Sequence, residues 1–175
     1  MKSEKNSGIQ IYQENKYSIS GEYSIEVIKA DGSIERPLGD FKYKNLILDT
    51  FLNSILNGYK YGIQAFIQTC RLGTSSLSPT RTQVGLQGTQ LSETHASSYF
   101  NTSVNEANNT ISLSRDFIFP TVTSETTYRE AVVGCFGISN IENITTSRFV
   151  FPAEIVILSG DRLRLIYTLN IKISF

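Results

Sequence analysis

Residues 162–175 read RLRLIYTLNIKISF, and every odd position from Leu163 onward is apolar: Leu163, Leu165, Tyr167, Leu169, Ile171, Ile173 and Phe175. The even positions carry Arg162, Arg164, Ile166, Thr168, Asn170, Lys172 and Ser174. Successive side chains of a strand point to opposite faces, so this period of two describes a strand with one buried face. At about 3.3 Å per residue the stretch would extend roughly 45 Å, more than twice the usual strand. Two expectations follow. Either its end reaches past the domain's own sheet to pair with a neighbour, or the strand bends from one sheet into another.

Working back along the chain, Ser159-Gly160-Asp161 supplies a three-residue turn preceded by the extended run SRFVFPAEIVIL, 147–158. Before that, YREAVVGCFGI (128–138) is nearly continuous in apolar residues, as a central strand buried on both faces requires. In ISLSRDFIF (111–119), Ile111, Leu113, Phe117 and Phe119 share one face. IQAFIQTCRL (63–72) is extended, and 73–109 is rich in loop residues, with a short helical turn expected near Arg81–Leu86. YSIEVIKADGSIERPL (23–38) is a hairpin signal with Asp31-Gly32 at its turn, and Pro37 places the second run at an edge.

One amphipathic helix stands out, near 46–57, in NLILDTFLNSILNG (45–58). Leu48, Phe51, Leu52 and Ile55 form its apolar stripe, Asn45 caps its start, and Gly58 ends it. So short a helix is marginal alone and must lie on a sheet. Many strands and one helix predict an all-β fold: an antiparallel β-sandwich, jelly-roll-like. Residues 1–20 read as a polar N-terminal arm and 21–175 as a single β-sandwich domain.

Composition narrows the function. The 175 residues hold 40% hydrophobic and only 18% charged side chains, with Lys plus Arg equal to Asp plus Glu at 16 each. No basic surplus for phosphate binding is visible, so nucleic acid is not an expected partner. No stretch approaches the roughly 18 apolar residues of a membrane span, and MKSEKNSGIQ has no signal-like apolar core. The expectation is therefore a soluble chain made in the cytosol, no membrane partner, and chance sequons at Asn101, Asn108 and Asn143. Cys70 and Cys135, each inside an apolar run, read as buried reduced thiols. One histidine argues against a metal site.

RLGTSSLSPTRTQVGLQGTQL (71–91) carries the glycines of a phosphate cradle, Gly73, Gly85 and Gly88, and the hydroxyls of a nucleophile site. Yet no lysine lies between Lys60 and Lys172, so no P-loop can form. His95 has no nucleophile elbow near it and reads as a solvated loop histidine. Asp116 and Glu130, both in expected strands, are the candidate carboxylates for acid–base work. A charge inside YREAVV wants a partner, and a structural ion pair of Glu130 with Arg115 or Arg148 is the better reading. No catalytic, cofactor-binding or metal-binding residue is assigned, and no enzyme activity is expected.

The order of the pieces carries a resemblance. KNLILDTFLNSI, CRLGTSSLSPTRTQVGL, YREAVVG, SRFVFP and GDRLRLIYTL follow one another as in a class of small bacteriophage virion proteins, the tail-fibre, neck or minor tail proteins. The matching residues are Asn45 to Ile47; Leu72 to Thr74 with Pro79, Thr80 and Leu86; Arg129, Glu130 and Gly134; Ser147, Arg148 and Pro152; and Gly160 to Leu169. They span roughly 41–170. Two departures are the extra residues between Glu130 and Gly134, and GTSSLS in place of a Gly-rich turn.

The resemblance implies a structural component of a tailed phage virion, located in the particle and working by homo-oligomerisation, as a ring or trimer. Other tail or neck virion proteins are its implied partners. The alternative it leaves open is a fibre module that binds a receptor or a host-surface glycan, with Tyr59, Tyr61 and Tyr99 as stacking candidates. In either case 71–91 is expected to be a loop at one end of the sandwich, facing a neighbouring subunit.

Overall fold

The computed structural model describes residues 16–56, 67–96, 101–135 and 144–174. Among the described residues, ten strands and one α-helix follow in chain order: β1 (Lys16–Ile28), β2 (Ile34–Glu35), β3 (Tyr43–Ile47), α1 (Asp49–Leu56), β4 (Thr69–Gly73), β5 (Gln90–His95), β6 (Asn101–Asn105), β7 (Thr110–Ile118), β8 (Thr126–Cys135), β9 (Ile144–Ile157) and β10 (Arg162–Ser174). The fold is all-β, as expected. Its strands form one antiparallel curled sheet, a half-barrel ordered β5-β4-β8-β9-β3-β1-β10-β7-β6, with β2 paired to β1 off that path.

The strand that decided the fold lies near the middle of one half. All thirteen residues of β10 pair with β1, from Arg162 opposite Ile28 to Ser174 opposite Lys16, and its other side pairs with β7. Leu163, Leu165, Tyr167 and Leu169 are buried, as the alternation requires. The end of β10 has a partner within the chain. It is taken up by Lys16–Ser20, the last five residues of the expected arm, which are strand. Tyr17 and Ile19 alternate with Lys16, Ser18 and Ser20 and so continue the odd-position period of Tyr23, Ile25 and Val27, with Gly21 as the gap that hid the connection.

The curl comes from β3, which pairs with β1 through Tyr43–Asn45 and with β9 through Leu46–Ile47. A strand that changes partners halfway along turns the two halves of the sheet to face each other. Tyr23 of β1 and Phe149 of β9 stack across that enclosed space with ring centroids 4.0 Å apart. Ile25, Phe117 and Leu165 from one half and Leu72, Val133 and Ile155 from the other complete the core. At the far side Thr94 of β5 donates its hydroxyl to the Ile118 carbonyl of β7 at 2.9 Å, drawing the sheet toward closure.

Local signals fared unevenly. The β1–β2 hairpin forms at Asp31-Gly32, with Gly32 at φ 85°, and the turn before β10 places Gly160 at φ 92°. Asp161 joins the two turns by accepting from the Ala30 amide at 3.0 Å. The helix is shorter than expected: residues 45–47 belong to β3, so Asn45 caps nothing, and Gly58 lies outside the described residues. The loop-rich stretch contains β5, β6 and a 3-10 turn, Glu106–Asn108. QLSETH and NTSVN have few apolar residues, so their extended pairing left no periodic trace.

Candidate functional site

β8 is buried on both faces, and only one of them is the core. Ala131 and Val133 face inward with Phe149. Glu130, Val132 and Arg148 share the opposite face, because Val132 stands directly across from Arg148 in the antiparallel register. Residues 74–89 cover that outer face, and α1 packs Phe51 into the core cluster. The helix is seated on the start of β9: Thr50 donates to the Thr145 carbonyl at 2.6 Å and the Leu48 amide donates to the Thr146 carbonyl at 3.0 Å. Thr145 in turn donates its hydroxyl to the Val84 carbonyl of the loop at 2.6 Å.

At the centre sits an ion pair with neither side chain exposed. Arg148 Nε donates to Glu130 Oε2 at 2.8 Å, and Nη2 lies 2.8 Å from the same oxygen outside hydrogen-bond geometry. The other hydrogen bonds of both groups go to the loop. Glu130 Oε1 accepts from the amides of Ser75 at 3.1 Å and Gly88 at 2.8 Å, and Oε2 accepts from Gln87 at 3.1 Å. Arg148 Nη1 donates to the Leu77 carbonyl and to Gln83 Oε1, both at 2.9 Å. A carboxylate holding three backbone amides while its guanidinium partner holds two loop acceptors fastens both ends and the middle of the loop to the sheet.

Glycine is required here for closeness. A Cβ on Gly88 would stand 2.6 Å from the Ser75 amide nitrogen, and one on Gly73 would stand 2.8 Å from Glu130 Oε1. Gly85 has open space around its Cα, so its hydrogen is not demanded by packing. Two of the three glycines that resembled a phosphate cradle, Gly73 and Gly88, therefore lie against a carboxylate of the protein itself. The expected position of the loop is corrected accordingly: it folds back over β8 and β9 rather than projecting from one end.

The other candidate groups do not converge. His95 is exposed and pairs with Thr69 at one end of β4, while Glu130 pairs with Gly73 at the other. Asp116 lies in the other half of the sheet, bonded to Arg164, whose Nη1 also reaches Glu26 Oε2 at 3.1 Å. Arg36 donates to Glu26 at 3.0 and 3.1 Å and to Asp40 at 2.9 Å, extending that network along the surface. Cys70 and Cys135 are buried free thiols, and burial pushes both above their ordinary range. Among the described residues no group of His, Cys, Asp and Glu is arranged to hold a metal ion. Tyr59, Tyr61 and Tyr99 lie outside the described residues.

Sequence reasoning missed a second joint, at the seam between the halves. Asn45 Nδ2 donates to Ser147 Oγ, and the buried Tyr167 hydroxyl packs beside both. Gly21 makes room for it, since a Cβ there would lie 2.0 Å from Asn45 Oδ1 and 2.7 Å from the Tyr167 oxygen. Desolvation pushes the Tyr167 phenol up to about 12. Its signal in the sequence was slight: a tyrosine at an apolar position of β10.

Comparison of the chain with protein-family models, with curated proteins and with solved structures returns no match.

Proposed function

We propose that the protein is a structural component of a tailed bacteriophage virion, a tail, neck or fibre-base protein that oligomerises and docks onto other virion proteins. The observation that carries this reading is the convergence of the resembling motifs. Gly73, the loop through Pro79 and Thr80, Glu130 and Arg148 are far apart in sequence, yet they meet in one buried joint. Motifs whose residues interlock in this way specify shape, and the two candidate acid–base carboxylates, Asp116 and Glu130, are bound to arginines. In this reading the curled sheet serves as the jelly-roll-like sandwich, and its surface and edges are the working parts. Low charge, balanced in sign, limits repulsion between copies.

The test is mass spectrometry and immunogold labelling of density-purified particles from a host producing this chain. A protein present in fixed stoichiometry, with label at the tail, neck or fibre base, is the expected result. Absence from purified particles would overturn the proposal.

A further inference from the structure

The core-facing side of the half-sheet β1-β10-β7-β6 carries a row of β-branched residues in strict register: Ile19 opposite Ile171, Ile171 opposite Ile111, Ile111 opposite Val104. The adjacent row, Gly21, Leu169, Leu113 and Thr102, reaches into the core, with Leu169 at 0% and Leu113 at 7% exposure. Exposure in the first row rises toward the edge. Ile19 and Ile171 are half-buried, Ile111 is 37% exposed and Val104 63%. Apolar side chains in register on the inner face, increasingly open toward the edge strand, describe a core that stops before it is finished.

The edge itself points to its occupant. Among the described residues β6 pairs with β7 alone, and its sequence, Asn-Thr-Ser-Val-Asn, holds no charge, proline or bulge. Those are the devices by which sheet edges resist pairing. The opposite edge strand, β5, carries Glu93 and His95 and is bonded through Thr94 to β7. An uncharged edge is electrostatically compatible with a copy of itself, whereas a charged edge of one sign is not. Antiparallel pairing about Ser103 is also self-complementary: it sets Thr102 opposite Val104 of the second copy, and Val104 opposite Thr102, on the same inner face. The row then runs on from Val104 into the second copy's Thr102 and Leu113.

Resting on the structural reading above, we infer that two copies of this chain pair antiparallel through β6 about a two-fold axis beside Ser103, forming one sheet across both. Such a contact is isologous, so the assembly is a dimer or an even-numbered particle built from dimers.

The test uses the full chain in three forms: unsubstituted, Val104→Lys and Ser103→Cys, with Ser124→Cys as an exposed control on a different turn. Sedimentation and light scattering over a hundredfold concentration range should give an even-numbered oligomer. V104K should reduce it to monomer with an unchanged melting temperature. Mild oxidation should convert most of S103C, but not S124C, into a disulfide-linked dimer, since directly opposed residues lie about 4.5–5.5 Å apart. An oligomer that V104K leaves intact and S103C does not cross-link overturns the β6 contact while leaving the structural reading standing. An oligomer lost only on deleting residues 2–15 overturns it in favour of the N-terminal segment. A monomer at every concentration overturns both the contact and self-assembly.

Discussion

Arg148 Nε meets Glu130 Oε2 at 2.8 Å with both side chains sealed from solvent, and every other bond the two groups make runs to residues 75–88. Charges are costly to bury, and a pair like this one is not in itself a reliable source of stability. What it does is fasten the loop that covers that face. The loop amides and carbonyls that would otherwise face the sheet unpaired are satisfied by one carboxylate and one guanidinium.

Removing one partner should therefore be severe. Glu130→Gln leaves the Arg148 charge without its counterion and points an amide donor at backbone amide donors, so a loss of about 3–5 kcal/mol is expected. Urea unfolding monitored by circular dichroism measures it. The double replacement Glu130→Leu with Arg148→Met separates two accounts. A self-contained ion pair would be replaced nearly without cost. A joint that also satisfies the loop should stay destabilised by about 3 kcal/mol or more, because several loop groups are orphaned together.

The glycines of the loop should differ sharply from one another. Gly88→Ala drives a methyl against the Ser75 backbone nitrogen at 2.6 Å and should cost about 1–3 kcal/mol. Gly85→Ala meets nothing within 4 Å and should fall within about 0.5 kcal/mol of the parent. Thermal melts of the two variants side by side decide it. Equal effects would mean that the glycines serve flexibility rather than close approach.

Alkaline pH should unfold the protein through its buried acids. Burial raises Cys70 above its ordinary 9.0 and Tyr167 from 10.0 to about 12. A raised folded-state value means that the native state holds its proton more tightly than the unfolded chain does. Stability from these groups is thus complete below about pH 9 and is lost as pH climbs from 9 toward 12. Denaturation midpoints taken from pH 8 to 12 should fall along that window, and Tyr167→Phe should flatten the part above pH 10. In the native state at pH 8, both thiols should resist a water-soluble thiol reagent until denaturant is added.

Much of this architecture was legible in the chain. Alternation in 162–175 located a one-sided strand, a nearly continuous apolar run in 128–138 located a doubly covered one, and the charge of Glu130 inside that run demanded a partner that proved to be Arg148. What escaped has physical reasons. β5 and β6 are polar edge strands, whose pairing depends on the backbone and leaves no hydrophobic period. Residues 45–47 carry a helix-compatible pattern, yet they are strand because β1 and β9 both offer them partners. The two faces of β8 look alike in sequence, although one is covered by a sheet and the other by a polar loop. Nothing short of the three-dimensional register could have told which.

The decisive measurement is amide hydrogen exchange at Ser75, Gln87 and Gly88. If Glu130 and Arg148 make residues 74–89 an integral cover of the sheet, these three amides should exchange only with opening of the core, as slowly as Ala131 and Val133, and should become fast in Glu130→Gln. Rapid exchange at all three in the unsubstituted protein, beside slow exchange in β8 and β9, would show the loop unfastened and contradict the account.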